Sequence, residues 1–351
     1  MQKVIKSNDL KSDLEDRLSA IPHDRLFILT DETTDKLCFP LIADIESIRN
    51  ASKIIIKAGD DHKNLESLSA IWQHLCQQGA TRHSILLNLG GGMVTDIGGF
   101  AAASFKRGIK CINIPTTLLG AVDAAVGGKT GINFDGLKNE IGAFAPAECV
   151  IIESAFFKSL DRSNLLSGYA EMIKHGLISN QDTWVRLMSF DTYIVDYDIL
   201  RELVVESVLV KENIVEQDPF EKGIRKALNL GHTIGHAFES LSYTINTPIQ
   251  HGYAVAWGVI CELYLSVKKC NFPKDKLWQT LAFVKENYGS IPFGCDHYEA
   301  LYELMKHDKK NESVERINFT LLEDIGKLAL NQTATKKEIV ESIDFLRESI
   351  N

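Results

Sequence analysis

Short apolar runs, most of them β-branched, punctuate the first 153 residues: Leu26-Phe27-Ile28-Leu29, Ile54-Ile55-Ile56, Ile85-Leu86-Leu87, Ile112-Asn113-Ile114 and Val150-Ile151-Ile152. Between them lie segments with helical spacing of apolar positions, such as 64–78 and 96–105. Strands that alternate with helices in this way predict βαβ units around a parallel sheet. After about Glu153 the pattern changes. Residues 164–177, 198–215, 252–268 and 336–348 read as long helices, and strand-like runs become rare. The expected fold is an α/β, Rossmann-like nucleotide-binding domain over residues 1–158 and a mainly α-helical domain over 159–351. A chain of 351 residues is also too long for one core of ordinary size, and no internal repeat competes with this division. Ligands of such proteins usually occupy the cleft between the halves.

Composition narrows the classes. With 45% apolar and 24% charged residues the chain has globular values. A formal charge of -9 and a pI near 5.6 provide no basic field for a phosphate backbone, so no nucleic acid partner is expected. The first residues lack an apolar signal core and no stretch is long and apolar enough to span a bilayer, which predicts a cytoplasmic protein without a membrane partner. The seven cysteines are scattered and form no Cys-x-x-Cys pair, so they read as reduced and mostly buried thiols.

The third predicted strand runs into Gly90-Gly91-Gly92-Met93-Val94-Thr95-Asp96 and a helix of small residues. Backbone N–H groups in such a turn can approach a pyrophosphate closely, and the helix N-terminus favours its charge. The fit to G-x-G-x-x-G is imperfect, because Thr95 stands at the sixth position. Asp31 closes the first predicted strand, where an acid can hold ribose hydroxyls. Thr116, Thr117 and Asp123 offer hydroxyls, an acid and a helix start after the fourth. Lys129 with Asn133, and Lys138 with Asn139, stand in what read as glycine-rich loops; Gly128-Lys129-Thr130 lacks the first glycine of a Walker loop, which excludes a nucleoside triphosphatase.

His232 and His236 are spaced i, i+4 on one predicted helical face, His251 opens another apolar helix, and Glu171 lies in Gly168-Tyr169-Ala170-Glu171-Met172-Ile173-Lys174. A carboxylate with two imidazoles leaves an open position on zinc, the ligand count of a catalytic site. Spacing alone leaves open which two of the three histidines belong to it.

Taken in order, 90–96, 115–119 with Asp123, 126–130, Lys138-Asn139, 170–174, 229–236, His251-Gly252 and Asp308-Lys309-Lys310 resemble the 3-dehydroquinate synthase family over essentially the whole chain. The resemblance implies Glu171, His232 and His251 as ligands of zinc, with cobalt as the alternative ion. It implies NAD against Asp31, Asp60, Lys63, Gly91, Gly92, Met93, Asp96, Thr116, Thr117, Lys129, Lys138 and Ser159. A phosphorylated sugar acid would meet Asp123, Lys129, Asn139, Lys174, Lys211, Arg225, Asn229, His236 and the Lys309-Lys310 pair. A homodimer is implied, with Arg107 reaching the neighbouring subunit's site.

The implied chemistry is oxidation of a secondary alcohol by NAD, β-elimination of phosphate, return of the hydride, ring opening and intramolecular aldol closure. The clustered cations agree with a ligand bearing both phosphate and carboxylate, since each charged hydrogen bond contributes roughly 1.5–3 kcal/mol. Three features depart from the family pattern: Asp60 replaces a glutamate, 160–164 reads Leu-Asp-Arg-Ser-Asn, and Tyr253 follows His-Gly where an acid is common. Sister sugar phosphate cyclases would differ mainly at the carboxylate-facing cations, and Lys211, Arg225 and Asn229 favour dehydroquinate formation. A metal-dependent polyol dehydrogenase would not need the phosphate cluster, and a silent NAD-binding module would not need three metal ligands.

Overall fold

All five apolar runs of the first half become parallel strands; four bury side chains on both faces, as a sheet covered by helices on each side requires, whereas the run 54–56 lies at the sheet edge and leaves Ile55 exposed. The structure, a computed structural model, describes residues 2–135, 137–306 and 317–350. Its contacts divide the chain into Met1–Asp161 and Arg162–Asn351, so Ser159 belongs to the first unit.

In the first unit the chain order is β1 (Lys3–Lys6), α1 (Leu10–Ala20), β2 (Leu26–Asp31), α2 (Glu32–Leu37), β3 (Ser52–Ile56), α3 (Leu65–Gln77), β4 (Ile85–Gly90), α4 (Gly92–Ser104), β5 (Lys110–Pro115), β6 (Lys129–Phe134), β7 (Leu137–Phe144) and β8 (Cys149–Ile152). The sheet order is β1-β8-β5-β4-β2-β3. Phe27, Leu29, Ile54, Ile56, Leu86 and Cys111 face one core with Leu68 and Ile71 of α3 and Val94 and Ile97 of α4. Ile28, Leu87, Ile112 and Ile151 face the other core with Leu14 and Leu18 of α1. The two-residue period of a strand thus feeds two cores at once.

β1 was not among the predicted strands, because two of its four residues are lysines; it pairs in parallel with β8, Val4 opposite Val150. Asp31 therefore ends the second strand, the glycine loop follows the fourth and Thr116 follows the fifth. A second correction concerns Lys129, Asn133, Lys138 and Asn139, which lie in an antiparallel hairpin, β6–β7, rather than in loops. β2 is flanked by β3 on one side and β4 on the other, so the chain reverses direction across the sheet at β2. In open α/β sheets ligands bind outside the carboxyl ends of the strands at such a reversal.

The second unit contains α5 (Arg162–Ser179), α6 (Gln181–Met188), α7 (Tyr197–Gln217), α8 (His232–Thr244), α9 (His251–Cys270), α10 (Lys274–Tyr288), α11 (Tyr298–Lys306), a hairpin of β9 (Asn318–Asp324) and β10 (Lys327–Thr333), and α12 (Lys336–Ile350). Among the described residues no helix is long and apolar enough to cross a membrane.

Candidate active site

In the first unit, residues expected at a nucleotide gather at the carboxyl edge of the sheet. Gly91 is the N-cap of α4 and Gly92 its first residue, so neither has a capping side chain and the first-turn N–H groups face that edge. A Cβ on Gly91 would lie 3.0 Å from Cγ2 of Thr117, which shows how closely the loops after β4 and β5 approach. The Thr116 N–H donates to Gly90 O (2.9 Å), and Thr117 Oγ1 accepts from Gly120 N–H (3.0 Å). Ser159 joins Thr116 through the buried Cys38 thiol: burial raises that thiol's pKa, and hydrogen bonds with both residues oppose the rise. Asp31 caps α2, its Oδ1 accepting from the N–H groups of Thr33 and Thr34 (2.8 Å each). Met93, half-buried, packs against the core beneath α4.

Beside this edge stands a charged cluster. Lys63, nearly buried, donates to Asp96 Oδ2 (3.0 Å) and Asn139 Oδ1 (2.6 Å), with Asp60 at 3.7 Å, and Lys138 Nζ lies 3.5 Å from Asp60. The hairpin is tied to it by Asn133, whose N–H donates to Lys63 O (2.7 Å) and whose side-chain NH2 donates to Asp60 O (3.0 Å). Burial pushes the Asp96 carboxyl up to about 6 against the pull of Lys63, with Asp123 and Asp60 adding to the rise. Asp123 is half-buried in the helical turn 120–124, and Lys129 is exposed on β6.

In the second unit, glycines let three helices meet backbone to backbone. A Cβ on Gly252 of α9 would fall 2.0 Å from Ser167 O of α5, and one on Gly258 of α9 would fall 2.1 Å from Gly231 O, just before α8. At this junction Glu171 from α5, His232 as first residue of α8 and His251 as first residue of α9 converge. His232 Nε2 and His251 Nε2 lie 3.3 and 3.5 Å from Glu171 Oε1, a wholly buried oxygen with no hydrogen-bond partner.

Bonds of about 2.0–2.1 Å to a tetrahedral ion place ligand atoms about 3.3–3.4 Å apart, so this set fits a divalent metal. The tautomers fit too. His232 Nδ1–H donates to Leu230 O (3.1 Å) and His251 Nδ1–H to Glu239 Oε2 (2.9 Å), which turns both Nε2 atoms toward Glu171. His236 stands alongside, its ring 5.2 Å from that of His232 and 5.9 Å from that of His251.

Burial would raise the Glu171 pKa, but the Lys174 ammonium, in contact with Oε2, and His232 hold it well below the ordinary value of 4.5. Burial, with Lys174 adding, takes His232 down to about 3. Burial also opposes a charge on His251, yet the Glu171 and Glu239 carboxylates beside its ring outweigh it and push the pKa up to about 10.

Further along the second unit, Lys211 is buried on α7, and the buried Arg225 donates from Nη1 to Pro219 O (2.7 Å). Asn229 Nδ2 donates to Glu221 Oε1 (3.0 Å). Lys309 and Lys310 lie outside the described residues. Arg107 is exposed past the end of α4, at φ 66°. Glu221 and Glu239 were not singled out by sequence reading. Glu239 had a signal, standing three residues after His236 on the same face of α8; Glu221 had none, because only the fold of 218–229 brings it to Asn229.

The 3-dehydroquinate synthase N-terminal family model matches residues 53–167 and the C-terminal one residues 168–311. A 3-dehydroquinate synthase of Parabacteroides distasonis is 58% identical over 348 residues, covering 99% of this chain and 98% of the relative. Two solved structures share the fold at lower identity. A 2-deoxy-scyllo-inosose synthase complexed with carbaglucose-6-phosphate, NAD+ and Co2+ is 22% identical, with a TM-score of 0.85 over 98% of this chain and 96% of that one. A 2-epi-5-epi-valiolone synthase from Streptomyces hygroscopicus with NAD+ and Zn2+ bound is 23% identical, with a TM-score of 0.83 over 99% and 97%.

Proposed function

The chain belongs to the 3-dehydroquinate synthase family, and on that premise we propose that it converts 3-deoxy-D-arabino-heptulosonate 7-phosphate to 3-dehydroquinate and phosphate with NAD and a divalent metal ion. The observation that carries the metal is the convergence of two Nε2 atoms on the orphaned Glu171 oxygen, at separations suited to one tetrahedral ion. When bound, NAD accepts and returns a hydride and the ion polarises a substrate oxygen. Glu171, His232 and His251 hold that ion, zinc or cobalt. Glu239 orients His251, and Lys174 keeps Glu171 ionised.

NAD binds along the carboxyl edge of the sheet. There the Gly91–Gly92 turn and the N-terminus of α4 receive the pyrophosphate, and Asp31, Thr116, Thr117 and Ser159 line the same edge. Lys129, Lys138 and Asn139 on the hairpin, with Lys63, Asp60 and Asp96, bind and orient the charged groups of cofactor and substrate. Lys211, Arg225, Asn229 and His236, with the Lys309-Lys310 pair, provide the remaining substrate contacts. These cations suit a ligand carrying phosphate and carboxylate, and the lyase class follows from loss of phosphate.

The active unit is a homodimer in which Arg107 serves the partner's site. α4 is 13 residues long, so Arg107 stands roughly 20 Å along the helix from the Gly91–Gly92 turn of its own chain.

The test is to incubate purified protein with metal, the heptulosonate phosphate and catalytic NAD. Equal amounts of phosphate and dehydroquinate are expected without net NADH. Conversion that stops at one substrate per NAD, with all the NAD reduced to NADH and no phosphate released, would instead identify a polyol dehydrogenase. Glu171→Ala is expected to remain folded by circular dichroism and to lose turnover.

A further inference from the structure

α8 begins in an unusual way. Its N-cap, Gly231, is left-handed (φ 80°) and has no side chain, and no acidic residue occupies the first turn. The N–H groups at a helix start need acceptors from outside the helix. Here they find one on α9. The carboxylate of Glu262, itself 0% exposed, accepts from Gly231 N–H through Oε2 (2.7 Å) and from Thr233 and Ile234 N–H through Oε1 (3.1 and 3.4 Å). A buried anion is costly unless its lone pairs are satisfied, and a helix N-terminus is a place where backbone donors do this.

His232 is the first residue of α8, inside this clamped turn. Its Nδ1–H donates to Leu230 O, immediately before Gly231, so the ring direction depends on the conformation of 230–233. Glu262 grips that conformation on both sides of His232, at Gly231 and at Thr233. It does so from the helix whose first residue is His251. The close approach of Gly258 to Gly231 O leaves the two helices little freedom to slide, and the carboxylate fixes their register at the point where one ligand begins.

We propose that Glu262 is a positioning residue for the metal centre: by holding the first turn of α8 against α9 it aims His232 Nε2 at Glu171 and His251. This rests on the metal reading given above. Glu262 is wholly buried. It acts through His232.

Glu262→Gln preserves shape and leaves one acceptor oxygen, but its NH2 group opposes a backbone donor; Glu262→Ala removes both acceptor oxygens and with them all three hydrogen bonds. Each variant, with wild type and Glu171→Ala, is measured for thermal melting, Zn2+ affinity by chelator competition, the visible spectrum of bound Co2+, and NAD affinity. Glu262→Gln is expected to fold, to bind NAD as wild type does, to bind Zn2+ about 10- to 100-fold more weakly, and to alter the Co2+ ligand-field bands. A lower melting temperature with unchanged Zn2+ affinity and Co2+ bands would make Glu262 a structural cap only and overturn the proposal. Should Glu262→Ala fail to fold, the Gln variant alone decides. If wild type and Glu171→Ala bind Zn2+ equally, the metal reading itself falls, and the inference with it.

Discussion

Asp96, in the second turn of α4, has a side chain only 18% exposed and an ammonium 3.0 Å away, yet desolvation wins and its pKa rises from 3.8 to about 6. The folded protein thus holds this proton more tightly than the unfolded chain does. The stabilisation is fully present below about pH 3.8 and is lost as pH rises through about 6, a change on the order of 3 kcal/mol. The difference in unfolding free energy between wild type and Asp96→Asn, measured by denaturant titration across this range, is expected to turn against wild type as pH rises and to level off above about 7. A pH-independent difference would place the Asp96 pKa outside the window. The histidines teach a related lesson. Spacing alone could not choose among His232, His236 and His251, because the choice lies in which ring nitrogen faces a carbonyl or carboxylate, and the partners, Leu230 O and Glu239, are set by helix ends and neighbouring helices.

Among elements, α5, α8 and α9 meet at glycines, and their separation decides whether three side chains can share one ion. Gly252 stands beside His251, and the Cβ of an alanine there would lie 2.0 Å from Ser167 O and 2.4 Å from Ser167 Cα, one turn before Glu171. Backbone atoms cannot yield as a flexible side chain can. Gly252→Ala is therefore expected to force α9 from α5, to cost about 1–3 kcal/mol of stability, and to weaken Zn2+ binding while NAD affinity stays unchanged. Melting curves and chelator competition on the same sample check both parts; wild-type Zn2+ affinity would show that the site tolerates a wider spacing. The helices and central strands were legible because their periodicity is written in buried apolar residues. The hairpin was not. β7 is almost wholly exposed, and it is held by pairing to β6, which packs on α4, and by Asn133 bridging to Lys63 and Asp60.

For the whole molecule, the exposed hairpin side chains Phe134, Leu137, Ile141 and Phe144 and the exposed Arg107 belong to one unit, and a C2 dimer would make any exchange of Arg107 reciprocal. Co-refolding inactive Arg107→Ala with inactive Glu171→Ala tests this. In the mixed dimer, the chain with its own Glu171 receives Arg107 from its partner, so with about half the dimers mixed, roughly a quarter of wild-type activity is expected. No recovery from a verified mixed dimer would remove Arg107 from the partner's site. By itself the sequence determined the α/β-then-helical order, the glycine turn after a buried strand and the set of metal-ligating residue types, because these follow from local periodicity and from side-chain chemistry. Tertiary structure decided which sheet edge collects Asp31, Gly91, Thr116 and Ser159, and which ring nitrogens face Glu171. It also placed the Glu262 carboxylate at a helix start 31 residues away in sequence. Those are matters of strand order, helix separation and the need of every buried donor for an acceptor, and they exist only once distant segments are packed together.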